Sequence, residues 1–282
     1  MELVIFILKS LVLGIVEGIT EFLPVSSTGH LVIFQSILGF KGTHPAYVEM
    51  YTYVIQLGAI LAVVILYWKK ISHTLLNFFP KNGSLKGSGL GFWSTVAIAC
   101  IPGGVFGILL DDLAETYLFS PITVALALFF GGLWMIYAEN RYRNNKPQTQ
   151  VLEVTVRQAF IIGLFQCLAI IPGMSRSAST IIGGWVAGLS TIVATEFSFF
   201  LAIPVMIGMS FLKILKVGSL SSLTSPEMIS LAVGFIVSFI VALKVIDKFI
   251  AYLKKKSMKV FAIYRMIFAT IVLVAGYMGI FG

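Results

Sequence analysis

Four ionisable side chains stand inside stretches that are otherwise apolar: Glu17, Glu21, His30 and Arg176. Charge is costly within hydrocarbon, so such groups are functional candidates by default. Glu17 and Glu21 are four positions apart, which on a helix puts both carboxyl groups on one face about one turn apart. Two like charges in a low-dielectric site repel, so either one is protonated or a cation sits between them. A hard divalent ion with oxygen ligands, Mg2+ or Ca2+, suits the pair. The structural alternative is a carboxylate pair hydrogen-bonded to neighbouring helices. Glu49 and Glu196 stand near helix starts and join the short list.

The other chemistry gathers at two breaks in the apolar pattern. One is Pro24-Val25-Ser26-Ser27-Thr28-Gly29-His30, the other Pro172-Gly173-Met174-Ser175-Arg176-Ser177. After each proline the hydroxyls have N-cap chemistry, so a helix begins there with unpaired N–H groups and a positive dipole end, an anion site. Arg176 adds a planar fork of donors suited to phosphate. Capping alone also accounts for any one of the serines, and a salt bridge to Glu17 or Glu21 for Arg176. An imidazole three positions from Ser27 fits a general base or acid.

The elements that must position these groups are set by composition. A chain of 282 residues that is 58% hydrophobic and 11% charged, with mean hydropathy +0.98, is excluded from the water-soluble globules, which carry about 25% charged residues. Its net charge of +8 sits in short loops and not on an aromatic-interleaved surface, so nucleic acid is not the expected partner; membrane lipids are. Apolar runs near 51–68, 92–110, 121–138, 193–212, 227–246 and 260–280 predict six spanning helices. The stretches 3–40 and 157–190 are broken near their middles and predict two re-entrant hairpins, with kinked ordinary helices as the alternative. Met1 to Gly18 carries Glu2, no basic n-region and no A-x-A site, so it reads as structure and not as a signal peptide. Cys100 and Cys167 both lie in apolar stretches and offer neither a disulfide framework nor a metal cluster.

The hairpins also match one another. Gly14 and Gly163 are 149 apart, as are Glu17 and Gln166; Ser27 and Ser175 are 148 apart, Glu49 and Glu196 147. An odd number of spans separates the two starts, so the second unit enters from the opposite face. The expectation is a single all-α polytopic membrane domain over 1–282, an inverted-topology repeat with unit 1 at about 1–140 and unit 2 at about 150–282. Loops near 69–86, 141–157 and 244–259, including Lys81 and Lys146, hold most of the Lys and Arg and are cytoplasmic, so both termini face outward. Asp111, Asp112 and Glu115 read as a solvated outer loop, and Arg265 as a side chain snorkelling to the cytoplasmic interface.

Over nearly its whole length, and at Glu17-Gly-Ile-Thr-Glu21-Phe-Leu-Pro-Val-Ser-Ser-Thr-Gly-His30, Pro172-Gly-Met-Ser-Arg-Ser-Ala-Ser-Thr180 and Glu196-Phe-Ser-Phe-Phe-Leu, the chain resembles the undecaprenyl-diphosphate phosphatases of the bacitracin-resistance type. The resemblance implies an enzyme of the bacterial inner membrane, hydrolysing a polyprenyl diphosphate to the monophosphate and inorganic phosphate at a site open to the outer face. It implies Glu17 and Glu21 in metal binding or catalysis, Ser27, His30 and Arg176 in catalysis, and Ser26, Thr28, Ser175, Ser177 and Thr180 on phosphate oxygens. Two versions of the chemistry stay open: Ser27 attacks, deprotonated by His30, or His30 positions a water. A transporter or flippase for undecaprenyl phosphate is the alternative function, because broken helices meeting at midplane are a transporter layout. Oligomeric state is open.

Overall fold

The computed structural model describes residues 2–80, 85–143, 153–217 and 223–279; Lys81 and Lys146, and the side chains of Asp111 and Glu115, lie outside the described residues. Among these residues the chain is all helical: α1 (Glu2–Thr20), α2 (Ser27–Leu38), α3 (Tyr47–Leu66), α4 (Trp68–Leu76), α5 (Gly89–Leu118), α6 (Pro121–Ala138), α7 (Val156–Gln166), α8 (Arg176–Val186), α9 (Thr191–Val217), α10 (Ser225–Leu253) and α11 (Lys259–Tyr277). A π-helical turn, Glu139–Arg143, extends α6, and a 3-10 turn, Cys167–Ile170, extends α7. Serine or threonine caps start α2, α5, α6, α7, α8 and α10.

Seven helices are long and apolar enough to cross a bilayer. Six match the expected spans. The seventh is α1, which the sequence assigns to a hairpin arm; its own stretch is apolar over a full 18 residues, Leu3–Thr20. Its partner α2 has 12 residues and α8 has 11, rises of about 18 and 16 Å against a core of about 30 Å. The chain is thus a multi-pass membrane protein in which α2, α4, α7 and α8 are too short to cross.

The register of α1 fixes where its break falls. It runs parallel to α10: the Ser10 hydroxyl donates to the Ser230 carbonyl at 2.5 Å, a Cβ on Gly14 would stand 2.8 Å from the Gly234 carbonyl, and one on Gly18 would stand 2.6 Å from that of Ser238. The end of α1 therefore lies halfway down the 29 residues of α10. The other half of the fold does the same. There α7 packs on α5, where a Cβ on Gly163 would meet the Ala99 carbonyl and one on Gly103 would meet Gln166, putting Gln166 near the middle of the 30-residue α5. Around these pairs α6 packs on α11 and α3 on both α9 and α10.

Small residues make the close contacts possible. Lipid tails are as apolar as leucine, so helices in a bilayer associate by close packing and polar contacts. Gly58 of α3 faces α10 so closely that a Cβ would overlap the Phe235 carbonyl and the Ser238 hydroxyl, and that hydroxyl donates to the Ile55 carbonyl at 2.7 Å. Gly58→Val is expected to lower the stability of the purified protein by about 1–3 kcal/mol. Gly104→Ala, where a Cβ meets nothing within 4 Å, is expected to leave it unchanged; thermal unfolding in detergent reads both.

Candidate functional site

Two side chains with positive φ mark the breaks. Ser26 (φ 72) and Ser175 (φ 71) are the only non-glycine residues among those described with that backbone, and each caps the helix after it: Ser26 Oγ accepts from the Gly29 N–H, Ser175 Oγ from the Ala178 N–H. Left-handed backbone at a residue with a Cβ is strained and persists where its surroundings hold it. The matching positions are therefore Ser26 and Ser175, 149 apart like the glycines. That corrects the pairing of Ser27 with Ser175 and sets Arg176 opposite Ser27.

The tips meet. Arg176 Nη2 donates to Glu21 Oε1 at 2.5 Å and Nη1 to the Ser198 carbonyl at 3.0 Å, and Ser177 Oγ donates to the Leu23 carbonyl at 2.9 Å. The other Glu21 oxygen accepts from the Ser27 hydroxyl. The buried Glu21 carboxylate is thus shared by a guanidinium from one hairpin and a hydroxyl from the other. Glu17, wholly buried, faces Glu21, and neither of its carboxylate oxygens has a hydrogen-bond partner. Two orphaned acceptors beside a second carboxylate fit a hard cation. No group of three His, Cys, Asp or Glu side chains gathers among the described residues, so any such ion would draw its other ligands from elsewhere.

A cavity of about 380 Å3 opens from this cluster. Its polar end is Glu21, Ser26, Ser27, Thr28, Ser175 and Arg176, with Gln56 and Gln166, each holding a buried amide oxygen that lacks a partner. Further walls come from α5 between Cys100 and Ala114, from Ala169 to Gly173, from Tyr53 and from Pro204 to Leu212 of α9. Six of the ten residues singled out by sequence therefore share one pocket, and Glu17, His30, Ser177 and Thr180 stand outside its lining.

His30 stands behind the first tip. Its Nδ1 lies 2.8 Å from the Ser26 carbonyl, which can only accept, so Nδ1 carries a proton. Its Nε2 lies 2.9 Å from the Tyr264 hydroxyl, and the ring stacks on Phe268 at 4.4 Å. Neither nitrogen reaches Ser27. Thr180 likewise braces α8, lying 2.9 Å from the Arg176 carbonyl and 2.6 Å from the Ser198 hydroxyl. Glu49 and Glu196 pair with Lys213 and Lys70 away from the cluster.

Arg265 does not snorkel. It is fully buried and donates to carbonyls of both tips: Nη1 to Pro24 at 3.4 Å, Nη2 to Gly173 at 2.6 Å and Met174 at 3.3 Å. Position 265 is the seventh residue of α11, about 9 Å along the helix. That depth within an apolar run was the signal, and it outweighs nearness to a helix end.

Residues 10–271 match the family of the bacitracin resistance protein BacA. A protein of Ruminiclostridium cellulolyticum named undecaprenyl-diphosphatase is 66% identical, the match covering 100% of both chains. One of Clostridium tetani with that name is 51% identical over 96% of each chain. Undecaprenyl-diphosphatase 2 of Clostridium acetobutylicum is 49% identical over 97% of each.

The Glu21–Arg176 pair is buried on both sides, with side chains 3% and 9% exposed. Removing one partner strands the other charge, a loss of about 3–5 kcal/mol. Arg176→Met is expected to show that loss in unfolding, and Arg176→Met combined with Glu21→Leu to recover most of it. A double variant destabilised by the sum of the Arg176→Met and Glu21→Leu single effects would mean that the pair carries no coupling.

Proposed function

The chain belongs to the BacA family of bacitracin resistance proteins, and on that footing we propose that it hydrolyses undecaprenyl diphosphate to undecaprenyl phosphate and inorganic phosphate, recycling the lipid carrier of peptidoglycan synthesis and conferring bacitracin resistance. The observation that carries this reading is the Ser27 hydroxyl bonded to Glu21, beside Arg176, at the polar end of a cavity with apolar walls. A diphosphate on an isoprenoid tail needs both ends of such a cavity. A transporter or flippase for undecaprenyl phosphate is not favoured, since the relatives are named as diphosphatases.

Phosphoryl transfer asks a protein chiefly for positioning and charge neutralisation. Ser27 Oγ attacks the terminal phosphorus in line while its proton passes to Glu21. The bond from that phosphorus to the bridging oxygen breaks, and undecaprenyl phosphate leaves. Water then attacks the phosphoserine; the proton returns from Glu21 to Ser27 Oγ as that oxygen leaves, and a proton of the water departs with inorganic phosphate. Arg176, whose buried Nε has no protein partner, donates to the phosphate oxygens together with Ser26, Thr28 and Ser175. Ser177 and Thr180 hold the start of α8 in place, and His30 supports the first tip through the Ser26 carbonyl.

Glu17 and Glu21 would hold a divalent cation, Mg2+ or Ca2+, which supplies positive charge for the incoming diphosphate. The fit follows from the two buried Glu17 oxygens that no donor meets, beside the Glu21 carboxylate.

The finer architecture belongs to the same reading. Six helices span and the two hairpins are re-entrant, from opposite faces, in an inverted repeat. The parallel registers of α1 on α10 and α7 on α5 support it, since both end near the middle of a long helix. The cavity reaches toward the ends of α5 and α9 that lie opposite the basic loops. That favours a site open to the outer face of the bacterial inner membrane, with both termini outward.

Purified protein in detergent, with no membrane to cross, is expected to release phosphate from undecaprenyl diphosphate. EDTA should stop release, and Mg2+ or Ca2+ should restore it. Ser27→Ala is expected to abolish turnover, and Arg176→Lys to reduce it by about 10²- to 10³-fold, the loss of one oxyanion donor. No release under any metal condition would overturn the activity, and rapid turnover by Ser27→Ala would exclude the serine as nucleophile.

A further inference from the structure

We propose that Arg265 is a positioning residue of this reaction: seated in the slot left by Gly131, it holds both hairpin tips at once and thereby sets Ser27 and Arg176 against one another. The proposal rests on the hydrolytic reading above and adds to it a residue outside the pocket lining. Three observations converge on it.

The first is the choice of partners. Arg265 donates only to main-chain carbonyls, those of Pro24 on one tip and of Gly173 and Met174 on the other. Pro24 and Gly173 stand at the same place in the two hairpins, each two residues before the positive-φ serine that caps the next helix. One planar fork thus spans equivalent atoms of both breaks. An ammonium has neither that spread nor that fixed geometry.

The second is the absence of a counterion. Arg143 pairs with Glu139, Arg176 with Glu21 and Lys213 with Glu49, whereas no carboxylate pairs with Arg265 among the described residues. A fully buried guanidinium without a carboxylate keeps its place through the carbonyls it binds. It therefore pulls on the two tips and on nothing else charged.

The third is the space it occupies. A Cβ on Gly131 of α6 would overlap Arg265 Nη2 and stand 3.2 Å from the Met174 sulfur. The glycine is required by the guanidinium and not by a backbone conformation, since Gly131 lies within regular helix. Beyond the tips, the Ser27 hydroxyl and the Arg176 side chain, one from each hairpin, meet at Glu21. A shift of the tips of about 1 Å misaligns them, and a misplacement of that size can reduce turnover by about 10²-fold.

The test is made on full-length protein in detergent with Arg265→Lys and Gly131→Ala, the second keeping Arg265 but denying it its seat. Both are expected to lower kcat by about 10- to 100-fold with KM for undecaprenyl diphosphate changed less than about threefold. A second readout needs no activity: Val25→Cys, made after Cys100→Ala and Cys167→Ala, is alkylated by N-ethylmaleimide. Val25 is 2% exposed at the first tip, and both variants should raise its alkylation rate at least about 10-fold as the tips part. Wild-type protein that releases no phosphate, with the alkylation difference present, would overturn the reaction and keep the clamp. Wild-type turnover with unchanged kcat in both variants would overturn the positioning role. A rise in KM alone would make Arg265 a substrate ligand instead, and unchanged alkylation would remove the clamp altogether.

Discussion

A membrane chain that breaks its helices must satisfy the freed backbone groups with its own atoms or along a polar cavity, because hydrocarbon offers them no partner. The features around the site answer that constraint. Ser26 and Ser175 take the first free N–H groups of the helices they cap. Ser177 takes the Leu23 carbonyl, His30 the Ser26 carbonyl, and Arg265 the carbonyls of Pro24, Gly173 and Met174. Each such bond draws a side chain inward, around the contact of Glu21 with Ser27 and Arg176. The pocket is a consequence of closing the two breaks against each other.

Charge follows from the same closure. Glu17, Glu21, Arg176 and Arg265 are all buried near the tips. Glu21 spends its lone pairs on Arg176 and Ser27, while Glu17 has no donor at all. The two carboxylates one turn apart thus differ in their surroundings, one meeting a hydroxyl and a guanidinium, the other no donor.

Much of this is legible in sequence, because in hydrocarbon a polar residue announces itself. The two motifs and the E-x-x-x-E spacing bring Glu21, Ser26, Ser27, Thr28, Ser175 and Arg176 to one cavity, and six of the seven helices long enough to span among the described residues fall where the apolar runs put them. The orientation of His30 is not legible: helical spacing places it one turn from Ser27, but which way the ring turns depends on Tyr264 and Phe268 of α11, more than 230 residues on. Arg265 is misread for a related reason. Snorkelling depends on depth relative to the interface, and the depth of a residue six positions into a helix follows from how the hairpins seat against that helix. The offset between repeats is obscured by the serine doublet Ser26-Ser27, which the backbone angles resolve.

That offset sets two like helix breaks beside unlike side chains. At 149 residues Ser26 matches Ser175, and both keep the same backbone and the same capping bond. At the same offset Ser27 matches Arg176, Glu17 matches Gln166, and Glu21 matches Ile170. The capping serines are thus alike in both halves, and the residues around them differ. Two identical tips would bring two hydroxyls and four carboxylates together, a charge that neither Arg265 nor one cation could offset in low dielectric. Opposing a serine with an arginine, and two acids with an amide and an isoleucine, brings one hydroxyl, one guanidinium and one carboxyl group together at the polar end of a single cavity.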